Sequence, residues 1–251
     1  MPTKLNSEDI VGSFFISSYG TDCVVTNYKN SKKVTVRFLD DYEYEGVFTL
    51  YDLRKGRVFN PYDKNVYGVG FCGSGNYAVT EGGSITLAYR CWHGIMRRAY
   101  SEKSLKKNPT YQGCTVCDEW HNFQVFAEWY TNQEFYGFGY DLDKDLLSKG
   151  GKVYSPETCC LLPNFFNTMI IKKDKKKGEA QGVQFIKRVK KYQVTLGSGG
   201  SSKHLGYFIE LEDAYQTFKK AKEHSVRSLA EKYKNLLCSR SYKALSNWEL
   251  L

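Results

Sequence analysis

The chain has 251 residues, a formal net charge of +9 at pH 7 and 16% aromatic residues, material enough for one large domain or several small ones with ordinary cores. No apolar run approaches the roughly 18 residues that span a bilayer and the N-terminus carries no charged-then-apolar leader, so neither a membrane nor a secreted protein is expected. Eight unevenly spaced cysteines then read as reduced thiols of a cytosolic protein rather than as a disulfide framework.

Residues 1–82 read as a β module. Val11 to Ser17, Cys23 to Asn27, Lys33 to Leu39 and Val47 to Tyr51 are short β-branched or aromatic runs separated by turn residues. In the third, Val34, Val36 and Phe38 alternate with Thr35, Arg37 and Leu39. Strands at this spacing predict a small curled β-barrel. The glycines Gly68, Gly70, Gly73 and Gly75 invite a phosphate-loop reading, but no Lys-Ser/Thr ending follows them and turns between strands explain them better.

From about Thr86 the period changes. Trp92, Ile95, Met96, Ala99 and Tyr100 recur at helical spacing, as do Trp120, Phe123, Ala127 and Tyr130, and both stripes read as core. Arg90, Arg97 and Arg98 lie on or beside the first helix, either as solvated charges or within reach of phosphates. His121 sits among core aromatics, and Cys114-Thr-Val-Cys117 has the spacing of a metal-ligand pair.

The stretch from Tyr140 to Asn167 reads as a short strand, a turn at Ser148-Lys-Gly-Gly151, a return through Lys152-Val-Tyr154, and a helix starting at Pro163. Such a helix would put Asn164 and Asn167 on one face, opposite acidic residues of the hairpin. These residues resemble the HNH or ββα-metal nuclease finger of phage-encoded proteins. The segment Leu53 to Pro61 followed by Gly68 to Gly75 resembles the region that leads into the catalytic part of those proteins.

The resemblance implies a divalent ion, Mg²⁺ or another, held by Asp143, Asp145 and Asn167, with Asp143 and Lys144 in the catalytic positions. One departure is plain: Lys144 stands where the family has its histidine base. A free lysine is a cation at neutral pH and takes no proton from water unless burial lowers its pKa by several units. His121 could substitute only if its helix packs beside the hairpin. Some members of that family hold a structural zinc with cysteine pairs, which here would be Cys114, Cys117, Cys159 and Cys160. Buried reduced thiols are the competing reading.

Between Lys172 and Lys191 nine basic residues face two acidic ones, an excess of +7. Residues 172–190 therefore read as a basic linker, either solvated or contacting phosphates through Lys173, Lys175, Lys176 and Lys177. Residues 191–251 form the last module: a strand from Lys191 to Leu196, a glycine-serine turn, a strand from Lys203 to Phe208, and a long helix with an apolar stripe. Tyr192-x-Val, the glycine turn, Lys203-His-Leu-Gly-Tyr-Phe208 and Glu212-Asp-Ala214 resemble the Apetala-type DNA-binding domain. That resemblance implies a β-ribbon on double-stranded DNA, with Lys191, Gln193, Thr195, Lys203 and His204 turned toward it.

The expected fold is thus α+β: a small N-terminal β-barrel (1–82), an HNH-like ββα finger with flanking helices (83–171), the basic linker (172–190) and an Apetala-type ribbon plus helix (191–251). The expected function is that of a phage-type DNA-binding protein of the HNH-like endonuclease family, acting in the cytoplasm of an infected bacterial host and cleaving or nicking DNA if a metal is held. The alternative is an inactive HNH-derived module that regulates DNA or grips another protein. No membrane partner is expected.

Overall fold

The computed structural model of the chain describes residues 10–170, 181–198 and 201–250. It is a mixed α+β structure that divides into two units, Met1–Thr131 and Asn132–Leu251. The division falls inside the segment 83–171, so the helices expected to flank the finger lie in the N-terminal unit and the finger in the C-terminal one. No helix among the described residues is long and apolar enough to cross a membrane.

In the N-terminal unit β1 (Phe14–Ile16), β2 (Asp22–Asn30), β3 (Lys33–Phe38) and β4 (Glu45–Phe48) pair antiparallel in that order. The period of two turns Val34, Val36 and Phe38 inward, where they pack with Cys23, Val25 and Val58. The sheet is an open meander, not the expected barrel. The reason is local: Thr49 ends β4 by accepting the Asp52 N–H at 3.0 Å, starting α1 (Leu50–Arg54) inside the stretch Val47 to Tyr51 that reads as strand. Leu50 and Leu53 of that helix then fill the core from its first turn.

After β5 (Thr80–Glu81) and β6 (Ser84–Ile85), Thr86 caps α2 (Leu87–Tyr100) and Ser101 caps α3 (Glu102–Lys107). The strand β7 (Thr115–Val116) and a 3₁₀ turn lead to α4 (Phe123–Thr131). The two aromatic stripes meet as expected: the Trp92 indole donates to the Trp120 carbonyl at 2.7 Å, and Phe123 lies 5.5 Å from Trp92. Gly68, at φ +74° between the bridged residues Val66 and Gly70, sits in a turn, but Gly70, Gly73 and Gly75 have another cause. They let a loop lie against the helical layer, since a Cβ on Gly70 would come within 2.8 Å of Met96 and one on Gly73, at φ +67°, within 2.3 Å of Asn122. The Gln124 amide pins the same loop, accepting the Tyr77 N–H and donating to the Cys72 and Tyr77 carbonyls.

The C-terminal unit begins with β8 (Asp141–Asp143), α5 (Asp145–Ser148), β9 (Val153–Tyr154), β10 (Cys160–Leu162) and α6 (Asn164–Ile170). The hairpin differs from its sequence reading. β8 pairs with β10, Asp143 opposite Cys160 and Asp141 opposite Leu162, and not with the stretch Lys152 to Tyr154. A helical turn replaces the simple loop because Asp143 accepts the Leu146 N–H at 2.8 Å, and it ends at Lys149, φ +53°, and Gly150, φ +87°.

The second half of this unit holds β11 (Val183–Ile186), β12 (Lys191–Ser198), β13 (Ser201–Phe208), α7 (Leu211–Lys232) and α8 (Ser239–Ser246). The strands form one antiparallel sheet in chain order. Its first strand lies in what the sequence presents as linker. One helix serves two cores: Ala214 and Phe218 pack under the sheet with Val183, Val194 and Leu196, while Val226 and Ala230 pack with Cys160, Leu162 and Phe166 of the finger. Gly182 makes room for the first contact, since at φ +74° its Cβ would stand 2.1 Å from the Phe218 ring.

Candidate nucleic-acid interface

The sheet of the C-terminal unit has one face on α7 and one in solvent. Strand alternation puts Val183, Val194 and Leu196 inward. It turns Gln184, Gln193 and Tyr207 outward as one row across three strands, because Gln184 stands opposite Gln193 and Gln193 opposite Tyr207. A register shift between Val194 and Thr195 breaks the alternation in β13. The extra residue is Leu205, which packs into the core, so Thr195 and His204 face each other on the outer side next to that row.

Four of the five residues expected to face DNA meet this description: Lys191, Gln193, Thr195 and His204 share the outer face. Lys203 does not. It stands opposite Leu196 and therefore belongs by register to the helix-side face, at the far end of the ribbon. The bulge is the reason, since without it Lys203, Leu205 and Tyr207 would share a face.

Electrostatics single out one end of the ribbon. The turn between β11 and β12 is Lys187-Arg188-Val189-Lys190, closed by the Val189 N–H to the Ile186 carbonyl at 3.2 Å and followed by Lys191; all five side chains are exposed. Lys190 takes the left-handed conformation at φ +51° that the tight turn requires. No acidic residue occurs between Glu179 and Glu210. A row of amides and a phenol thus stands beside four cations without a nearby carboxylate in sequence, the composition that contacts phosphates and base edges together. Lys173, Lys175, Lys176 and Lys177 lie outside the described residues.

The finger assembles a different set of bonds from those its resemblance implies. Asn164 and Asn167 do share a face of α6, and both amides point to the hairpin, donating to Asp141 Oδ2 at 2.8 and 3.4 Å. The three expected oxygen donors are engaged separately. Asp143 is held by the Leu146 N–H, Asp145 by an ion pair with the Lys144 ammonium, and Asn167 by Asp141. Lys144 itself is buried, donates also to the Gly151 carbonyl at 2.9 Å, and lies 5.6 Å from the centre of the Tyr154 ring. In this geometry the lysine closes the loop of the finger by joining Asp145 to the Gly151 carbonyl. Among the described residues no group of three or more His, Cys, Asp or Glu gathers as a metal site.

Burial is the main cause that raises the Asp143 carboxyl above the ordinary carboxylate range, and the Leu146 N–H bond works against it. A raised carboxyl stays protonated in the fold where the unfolded chain is already ionised. Its stabilising contribution is therefore complete at low pH and is lost as pH rises through the folded value. Asp143→Asn keeps the acceptor oxygen and cannot ionise, so the variant is expected to match or exceed the parent in stability at neutral pH, with that advantage shrinking on acidification. Asp143→Ala loses the acceptor and costs about 1 kcal/mol. Urea unfolding at neutral and acidic pH reads both; an Asn variant weakened most at neutral pH would contradict the assignment.

Of the remaining candidates, the four cysteines are buried or half-buried. Burial pushes the Cys159 thiol up to about 12 and raises Cys160 further, so both are neutral thiols beside the finger. Cys114 is buried and Cys117 half-buried in the N-terminal unit. His121 belongs to that unit as well, with Nε2 at 3.1 Å from the Val116 carbonyl and 3.3 Å from the Tyr100 hydroxyl. Arg90 donates to the Ile85 carbonyl, and Arg98 lies over the Tyr111 ring. The sequence reading missed Gln184, Tyr207 and the Lys187–Lys190 turn as parts of one surface. The alternation of Val183-Gln-Phe-Ile186 before a basic turn was the signal that could have found them.

In comparisons with known proteins, no family model, no curated protein and no solved structure matches this chain.

Proposed function

We propose that this chain binds double-stranded DNA through the outer face of β11, β12 and β13, with the Lys187–Lys191 end on the phosphates. The observation that carries the reading is the juxtaposition of an outward-facing row, Gln184, Gln193 and Tyr207, with four cations at one end of a sheet whose other face is filled by α7. A twisted two-stranded ribbon such as β12 and β13 fits a major groove while a helix supports its back, and the acid-free stretch gains free energy by releasing counterions. The resemblances to the Apetala-type domain and to phage-encoded finger proteins support the same reading, and with it a role in the cytoplasm of an infected bacterial host.

The finger supports binding more than cleavage. Asp143 is engaged as a helix cap and Asp145 by a buried lysine. A second reading, a metal-dependent nuclease, draws on one observation: Asp141, Asn164 and Asn167 converge where the hairpin meets α6. Two measurements on the full chain separate them. Anisotropy titration of a labelled duplex is expected to give an affinity that falls with salt at a logarithmic slope of about −3 to −4, from four phosphate contacts. Supercoiled plasmid incubated with Mg²⁺ or Mn²⁺ is expected to be retarded but not nicked. Binding insensitive to salt ends the proposal, and nicked plasmid that Asp141→Ala abolishes establishes the second reading.

A further inference from the structure

We infer that Gln193 is a base-reading residue with a preference for adenine in A·T pairs, held in its reading orientation by His204; the inference rests on the DNA-binding reading above. The outer row offers two glutamines, and Gln193 is the one at its centre, flanked by Gln184 on β11 and Tyr207 on β13. Its Nε2 lies 3.4 Å from His204 Nδ1, and the His204 and Tyr207 rings are 4.9 Å apart. In this arrangement Nε2 donates and Nδ1 accepts. One Nε2 hydrogen of Gln193 is thereby engaged, and the contact orients the amide.

What the amide still offers among the described residues is its second N–H donor and the Oε1 acceptor. Adenine presents N7 as acceptor and N6 as donor on its major-groove edge, and a glutamine amide matches that pair with two hydrogen bonds. Guanine presents two acceptors there and leaves Oε1 facing a carbonyl, so the same orientation rejects G·C. His204 reaches Gln193 only because the bulge in β13 moves Leu205 inward and returns His204 to the outer face, and Gly206, at φ +140°, takes the backbone conformation next to that bulge. His204 is therefore a positioning residue, acting through the amide it orients.

The test uses the full chain and three labelled duplexes: alternating A·T, alternating G·C, and the A·T duplex with 7-deazaadenine, which lacks N7. The parent is expected to favour the A·T duplex by roughly ten-fold, and 7-deazaadenine to remove that preference. Gln193→Ala should bind A·T and G·C duplexes alike, at the affinity the parent has for G·C. Gln193→Glu, which can accept from cytosine N4 but offers adenine N7 no donor, should reverse the ratio. His204→Ala should reduce the ratio of A·T to G·C affinity. A preference that survives both Gln193 variants, or 7-deazaadenine, overturns the inference while leaving DNA binding intact. A parent that binds none of the three duplexes overturns the DNA-binding reading itself.

Discussion

Replacing Lys187, Arg188, Lys190 and Lys191 together with Gln is expected to lower duplex affinity by roughly 10²–10³ at physiological salt and to flatten the salt slope by about three to four. Both numbers come from the same cause. Each cation seated on a phosphate releases part of a condensed counterion, so removing four contacts removes both the affinity and its sensitivity to salt. The four side chains are exposed on a closed turn and fill no core, so stability should change little. Lys190 keeps its left-handed backbone with Gln as with Lys, since neither relieves a positive φ. The loss should be equal for A·T and G·C duplexes, which distinguishes it from the Gln193 variants. Titrations at several salt concentrations decide it: an unchanged slope would mean that these cations do not touch DNA and that the ribbon face is not the interface.

Some of the structure was legible because its period was local. Val34, Val36 and Phe38 declared a strand, and Trp92, Ile95, Met96 and Ala99 a buried helical face, without help from distant residues. Pro163 likewise set the start of α6, from which Asn164 and Asn167 reach Asp141. What was not legible depends on side-chain bonds and strand pairings that a pattern of residue types does not display. Thr49 reads as a strand residue until its hydroxyl is seen to accept the Asp52 N–H and end the sheet before a barrel can close. β8 was matched to the nearest β-like stretch, Lys152 to Tyr154, because a sequence shows neither that Asp143 caps Leu146 nor that the return strand is Cys160–Leu162. A bulge is equally silent: the alternation of Lys203 to Phe208 gives two faces, and only pairing with β12 reveals that Leu205 is the extra residue. Lys144 was readable as an oddity but not as an ion-pair partner, since its role depends on Asp145 and Gly151 folding back over it.

Phe218→Ala is expected to cost about 3–5 kcal/mol, the loss typical of a buried aromatic truncated to Ala. The ring is 3% exposed and lies among Val183, Val194, Leu196 and Ala214, so the space it leaves is walled by a strand pair on one side and its own helix on the other. Gly182 cannot fill the space, having no side chain, and its backbone is tied to the sheet by the Thr195 N–H at 2.9 Å. A domain with a total stability of about 5–15 kcal/mol keeps little margin after such a loss. The consequence should not stop at the ribbon. α7 is one 22-residue helix whose second half packs Val226 and Ala230 against Leu162 and Phe166 of the finger. Opening the first core exposes the helix that closes the second, so the two are expected to open together. Hydrogen exchange on the full chain should then show the amides of β12 and of β10 losing protection by the same factor, roughly 10²–10³ or more. Phe218→Leu, which keeps most of the volume, should cost under about 1.5 kcal/mol and lose protection in the same proportion at both strands. If β12 loses protection while β10 keeps it, α7 breaks between Phe218 and Val226 and the ribbon opens independently of the finger.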